Sequence, residues 1–231
     1  MEEQVQCAKC PGTYCYPTID ADQKPDFEKA PSFCPTKLYE DVIGQSVRQY
    51  YRKGVSELTR LASVQEFECY EHTPDGIKTK IPRIEETIQF ARKNGFHKLR
   101  LAFCSGLADE ARIFTEILER RGFEVASVCC KVGAVPKERI GIKPDEKISG
   151  PGSYESMCNP ISQAEILNAE RVDFVILLGL CVGHDSLFIR YCQKPMTVLA
   201  VKDRVTGHNP LAALYLSRSI YYGRLRRLAG D

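Results

Sequence analysis

The chain has no apolar run approaching the roughly 18 residues that a membrane-spanning helix needs, so no such span is expected. It also has almost no excess charge of either sign. A formal net charge of +2, from 32 basic and 30 acidic residues, is too small to argue for nucleic acid or an anionic membrane surface as partner. The first residues, Met-Glu-Glu-Gln, are acidic and lead straight into cysteines. They lack the basic and apolar regions of a signal peptide, which makes the cytoplasm the expected compartment. Three familiar signatures are missing too: Gly-x-x-x-x-Gly-Lys, Gly-x-Gly-x-x-Gly after the first strand of the α/β pattern, and Gly-x-Ser-x-Gly. The usual nucleotide-binding and hydrolase readings go with them. Arg218, Arg224, Arg226 and Arg227, interleaved with Tyr221 and Tyr222, read as a solvated helix end rather than an RNA contact.

What the chain has in quantity is sulfur. Eleven of its 231 residues are cysteine, on an otherwise ordinary composition of 43% hydrophobic and 27% charged residues. Structural disulfides are rare in a reducing compartment, so a Cys-rich chain there points to metal or to thiol chemistry. An odd total leaves at least one cysteine outside any complete set of pairs.

Three segments are expected. Residues 1–36 lack periodicity and are rich in Cys, Pro, Asp and Lys, giving an arm that needs something other than a core to order it. Residues 37–96 carry helical spacing. In one stretch Tyr51, Val55, Leu58 and Ala62 recur at three- and four-residue steps; in a second, beyond the turn signal Thr73-Pro74-Asp75-Gly76, Ile84, Ile88 and Ala91 do so, ending at Asn94-Gly95. Residues 97–231 alternate strands at Leu99–Phe103, Phe123–Val128, Asp173–Leu178 and Thr197–Val201 with helices, the last helix running from Pro210 to about Leu228. That alternation predicts an α/β fold: a doubly wound, mostly parallel sheet of about four strands in the order 2-1-3-4.

The cysteines divide along the same lines. Cys7, Cys10, Cys15 and Cys34 crowd the arm, and Cys7-x-x-Cys10 puts two sulfurs on one turn; four thiolates there suit a metal, either zinc or an iron–sulfur cluster. Cys104, Cys130, Cys158 and Cys181 fall where expected strands end or helices begin. Ligands of open parallel sheets bind beyond the carboxyl ends of the strands, so these four are candidates for one cleft site holding a [4Fe–4S] cluster or zinc. Taken singly, each cysteine also fits a small buried filler, and Cys69 and Cys192, inside helical patterns, read that way. His184, Asp185, Lys202 and His208 lie close enough in sequence to the strand ends to act as acid, base or substrate anchor, against ordinary capping and turn roles.

The motifs Cys7-Ala8-Lys9-Cys10, Leu178-Gly179-Leu180-Cys181-Val182-Gly183-His184-Asp185 and Val201-Lys202-Asp203-Arg204-Val205-Thr206-Gly207-His208-Asn209-Pro210 carry a resemblance. With Cys104 and Cys158-Asn159-Pro160 they make the chain resemble a prokaryotic family of predicted metal-binding proteins that carries a domain of unknown function. The resemblance covers almost the whole length. It implies a cysteine-ligated metal and an anaerobe-leaning bacterial or archaeal source, and no reaction.

Two functional readings follow, beside a third in which zinc at both sites is purely structural on a scaffold whose partner is another protein. In one, three cleft thiolates hold a cluster with one iron free to act as a Lewis acid on a small-molecule substrate, as in a lyase or desulfidase, under a lid at Val132–Met157. In the other, Cys130 completes a closed site of four cysteines, and two closed sites serve electron transfer to a redox partner protein, metal storage or redox sensing.

Overall fold

Apolar side chains at alternating and at three- or four-residue spacing divide the chain into strands and helices that cluster as two units, Met1–Phe67 and Glu68–Asp231. The structure is a computed structural model that describes residues 5–16 and 25–227. The arm expected at 1–36 and the end of the helix expected to reach Leu228 fall partly outside the described residues.

In the first unit a 3-10 turn at Cys7–Lys9 precedes helices α1 (Pro35–Leu38), α2 (Glu40–Val47) and α3 (Val55–Glu68). Pro35 takes the first helical position, where its fixed φ is pre-set and its missing N–H costs nothing. The stripe expected on α3 is displaced: Tyr51 and Val55 are exposed, and Leu61 and Gln65 are the buried positions.

The second unit opens with a hairpin, strands β1 (Tyr70–Thr73) and β2 (Gly76–Thr79), paired antiparallel around Pro74-Asp75. The turn signal was visible in sequence but its strands were not. Their side chains are almost all exposed, so no alternation of apolar and polar residues marks them. Helix α4 (Arg83–Lys93), β3 (Lys98–Phe103), α5 (Ala108–Arg120), β4 (Glu124–Cys129), α6 (Pro160–Ala169), β5 (Phe174–Leu178), α7 (His184–Tyr191), β6 (Met196–Ala200) and α8 (Pro210–Leu216) follow. Helix α8 is shorter than expected, and a separate 3-10 turn at Gly223–Arg226 follows it.

Strands β3 to β6 form one parallel sheet in the order β4-β3-β5-β6, the 2-1-3-4 order expected. Every residue of β5 is buried, as a central parallel strand covered on both faces requires. Alternation along the strands sends Leu99, Leu101, Ile176 and Leu178 to one face, where they pack with Ile88 and Ala91 of α4 and with Ala111, Phe114 and Leu118 of α5. The other face takes Ala102, Val175 and Leu177 against Ala164 and Leu167 of α6 and Phe188 of α7. Each fully buried Leu, Ile or Phe contributes about 1.5–3 kcal/mol, so the two faces together hold the strand ends as a rigid edge.

Just past β5, Gly179 has φ +68, and a Cβ built there would lie 1.9 Å from Cδ1 of the buried Leu107. Only glycine lets the chain turn toward Cys181 without displacing that core contact. Gly183 also has positive φ (+85) but open space around it. Gly183→Ala should therefore cost about 1–2 kcal/mol from backbone strain alone, and Gly179→Ala should cost more. Urea-unfolding midpoints of the two variants check the order; equal losses would remove the steric role of Leu107.

Candidate functional site

Backbone hydrogen bonds at the carboxyl edge of the sheet bring together cysteines that are far apart in sequence. Cys104, one residue past β3, donates its N–H to the Leu178 carbonyl at the end of β5 (3.1 Å). Cys130, one residue past β4, donates to the Phe103 carbonyl (2.9 Å), and its own carbonyl accepts from Asn159 N–H (2.7 Å). Asn159 also caps α6, its side chain accepting from Ser162 N–H (3.2 Å). The neighbouring Cys158 is thereby drawn to the edge. Gln163, wholly buried, donates to the carbonyls of Phe103 (3.2 Å) and Val128 (2.7 Å) and clamps the ends of β3 and β4 together. Cys181 stands at the start of α7, its carbonyl accepting from the N–H groups of His184 and Asp185 (both 3.0 Å).

The thiols of Cys104, Cys130 and Cys158 stand near enough to shift one another's ionisation. The Cys130 thiol, with burial, pushes the Cys104 thiol up to about 12. Cys104 favours the Cys130 thiolate, but Cys158 and burial leave Cys130 raised. Cys130 favours the Cys158 thiolate and, against burial, holds it at about 6, with the Lys131 ammonium helping. The charge of Cys181 reaches Cys158 and opposes its ionisation.

Each sulfur also meets a donor or a positive charge. The Ser105 N–H points at Cys130 Sγ (3.3 Å), and Arg204 Nη2 lies 2.9 Å from Cys181 Sγ. The charge of Lys131 favours the Cys158 thiolate, and that of Lys202 the Cys104 thiolate. Lys202 Nζ rests over Gly106, 2.9 Å from where a Cβ would stand. Among the described residues, no group of three or more Cys, His, Asp or Glu side chains is drawn in tightly enough to hold a metal ion as it stands.

The remaining candidates divide. His184 faces the same cleft, held below its ordinary pKa by burial and then by Lys131, and its Nδ1 is buried without a partner. Asp185 accepts from Ser186 N–H (2.7 Å) in the first turn of α7. His208, at φ +66, closes its own loop: its Nδ1 accepts from Asp203 N–H (3.1 Å) and its N–H donates to the Asp203 carbonyl (2.8 Å). Sequence reasoning assigned no role to Lys131, Arg204, Ser105 or Gln163. A cation directly after a strand-end cysteine, and a second one two residues beyond Lys202, were the available signals.

In the first unit Cys7, Cys10, Cys15 and Cys34 all line one pocket of about 150 Å³, with Tyr14, Tyr16 and Phe33. Cys10 Sγ donates to the Gly12 carbonyl (3.2 Å), and Cys15 Sγ lies 3.8 Å from Thr36 Oγ1. Burial opposes ionisation of Cys34, but the N–H groups of Thr36 and Lys37 at the start of α1 outweigh it and lower its pKa. The long Val132–Met157 connection is tied to itself. Pro136 and Ser156 form an antiparallel bridge, Lys137 pairs with Glu155 (2.7 Å), and the buried Lys147 pairs with Glu138 (2.7 Å).

Comparison with known proteins gives a family and no chemistry. The family described as "Protein of unknown function (DUF1847)" matches residues 34–199, a span that takes in Cys34 and all four cleft cysteines. The uncharacterized protein MJ0455 of Methanocaldococcus jannaschii is 35% identical over 211 residues, covering 91% of this chain and 94% of that protein.

In reduced, metal-free protein, iodoacetamide should alkylate Cys158 with a half-maximal rate near pH 6, whereas Cys104 should stay unreactive through neutral pH. Lys131→Gln should move the Cys158 midpoint upward, because it removes a charge that favours the thiolate. Peptide mapping of the alkylated sites reads this out; equal reactivity of the two thiols would dismiss the unequal ionisation of the neighbouring thiols.

Proposed function

The chain belongs to the DUF1847 family of proteins of unknown function, and from that premise we propose that it is a thiolate metal protein with two sites, one at the sheet edge and one on the arm. The observation that carries this reading is the gathering of Cys104, Cys130 and Cys158 at the sheet edge by backbone hydrogen bonds, with thiols that shift one another's ionisation and with the charge of Cys181 reaching Cys158. Sulfurs gathered this closely repel once ionised, and a cation held among them removes that repulsion. Turning the four side chains inward onto one ion is the step the reading requires.

An all-sulfur donor set suits zinc or an iron–sulfur cluster. When bound, either would supply a closed four-thiolate centre: structural if zinc, redox-active if iron–sulfur. Cys130 lies between Cys104 and Cys158, so a ligand set that uses both outer sulfurs takes the middle one with it. This favours the closed site, and with it electron transfer, metal storage or redox sensing, over a three-thiolate cluster with one open iron. The open-iron reading, a lyase or desulfidase acting on a small substrate, needs Cys130 to stand aside. His184, Lys202 and Asp185 would then be the groups beside the substrate.

The arm quartet supports a second centre by convergence. Four cysteines spread over residues 7–34 line one small pocket, with the N–H groups at the start of α1 turned to Cys34.

Anaerobic purification followed by iron, sulfide and zinc analysis tests both sites. The expected result is two metal centres per chain. Replacing the four cleft cysteines by Ser should remove one, and replacing Cys7, Cys10, Cys15 and Cys34 the other. Cys130→Ser separates the two cleft readings, since loss of the cleft centre means four ligands and its retention means three. Protein with no iron, sulfide or zinc would sink the proposal.

A further inference from the structure

Four thiolates on a divalent ion leave a doubly negative complex, which a folded protein must neutralise or expose. At this edge three basic side chains stand one to a sulfur: Lys202 by Cys104, Lys131 by Cys158 and Arg204 by Cys181. The fourth sulfur, on Cys130, is 1% exposed and out of reach of solvent. It has the Ser105 N–H at 3.3 Å and the Ser105 hydroxyl at 3.7 Å instead of a cation.

These cations have no competing assignment. Among the described residues, none of Lys131, Lys202 and Arg204 makes an ion pair with a carboxylate, whereas Arg83, Lys93, Lys98, Arg100 and Arg112 of the same unit all do. Lys131 is anchored by the Ser156 carbonyl (2.7 Å) at the root of the long connection. The chain around Lys202 is anchored by its N–H to the Leu180 carbonyl (3.3 Å), and its ammonium occupies the space left open beside Gly106. The nearby acids are engaged with backbone: Asp203 Oδ1 accepts from the N–H groups of Val205 (2.9 Å) and Thr206 (3.1 Å), and Asp185 from that of Ser186.

We infer that Lys131, Lys202, Arg204 and the Ser105 N–H form a positive shell that lets four anionic sulfurs share one pocket, and so select an anionic tetrathiolate complex at the cleft. This rests on the metal reading of the same cysteines and adds positioning residues to it. Donors around ligating sulfur set affinity and, for an iron centre, the potential. The shell is contributed by the ends of three strands: β3 gives Ser105, β4 gives Lys131, and β6 gives Lys202 and Arg204. It is therefore complete only when the sheet edge is formed.

The test is zinc affinity of the full chain, measured by competition with a chromophoric chelator at constant ionic strength. The protein carries Ser at Cys7, Cys10, Cys15 and Cys34, so that only the cleft is read. Lys202→Gln and Arg204→Gln should each weaken zinc binding about three- to thirtyfold. Arg204→Lys should recover most of the loss, and Arg112→Gln, a surface control on α5, should change nothing. For an iron-loaded cleft the same two Gln variants should lower the reduction potential, a shift that a merely structural role would not give. Unchanged affinity in both Gln variants would overturn the shell while leaving the metal reading intact. An equal loss in the Arg112→Gln control would also overturn it, as a general charge effect. Absence of both zinc and iron binding by the protein with all its cleft cysteines in place would overturn shell and metal reading together.

Discussion

The candidate site depends on one row of backbone hydrogen bonds. At the carboxyl edge of the parallel sheet the N–H of Cys104 reaches β5, the N–H of Cys130 reaches β3, and the N–H of Asn159 reaches Cys130. Each bond crosses from one strand end or loop to the next, so residues 104, 130 and 158 are fixed as neighbours before any side chain is considered. Gln163 adds a buried clamp on the carbonyls of Phe103 and Val128. Burial makes these bonds expensive to lose, because an unpaired carbonyl there would be cut off from water. The geometry of the sulfurs is thus inherited from the sheet, and a lesion in α6 would reach the thiols through Asn159 and Gln163 without touching them.

Much of this edge was readable in the sequence. Strands that alternate with helices, and cysteines one residue past two of those strands, give the sheet order and the place of Cys104 and Cys130, because ends of adjacent parallel strands lie side by side. Cys158 was readable through Asn159-Pro160, a capped helix start. The cationic partners were not. Lys131 and Arg204 act through where their side chains swing after a strand ends, and strand periodicity carries no information past the last paired residue. The β1–β2 hairpin escaped for a different reason: its side chains are nearly all exposed, so burial leaves no alternation behind. The loop closure made by His208 was not readable either, because it depends on φ +66 and so on backbone geometry.

The long connection between β4 and α6 was expected as a lid because segments of that length without regular structure are uncommon in compact domains and often functional. Its ion pairs and antiparallel bridge argue for a different role. Lys137–Glu155 and Lys147–Glu138 are partly buried pairs, and they knit the connection to itself. The Ser156 carbonyl then holds Lys131 in place. The connection behaves as a bracket for one cation of the cleft.

The three neighbouring thiols carry one more consequence. Their protons are held unequally: Cys158 gives its proton up readily, whereas the more deeply buried Cys130 and Cys104 keep theirs. On the metal reading, an ion entering from solvent first finds an anion already waiting at Cys158 and must strip hydrogen from the deeper sulfurs to finish. Loading would then have a direction, from the outer landing point inward, and an acidified solution would strand the ion half-seated.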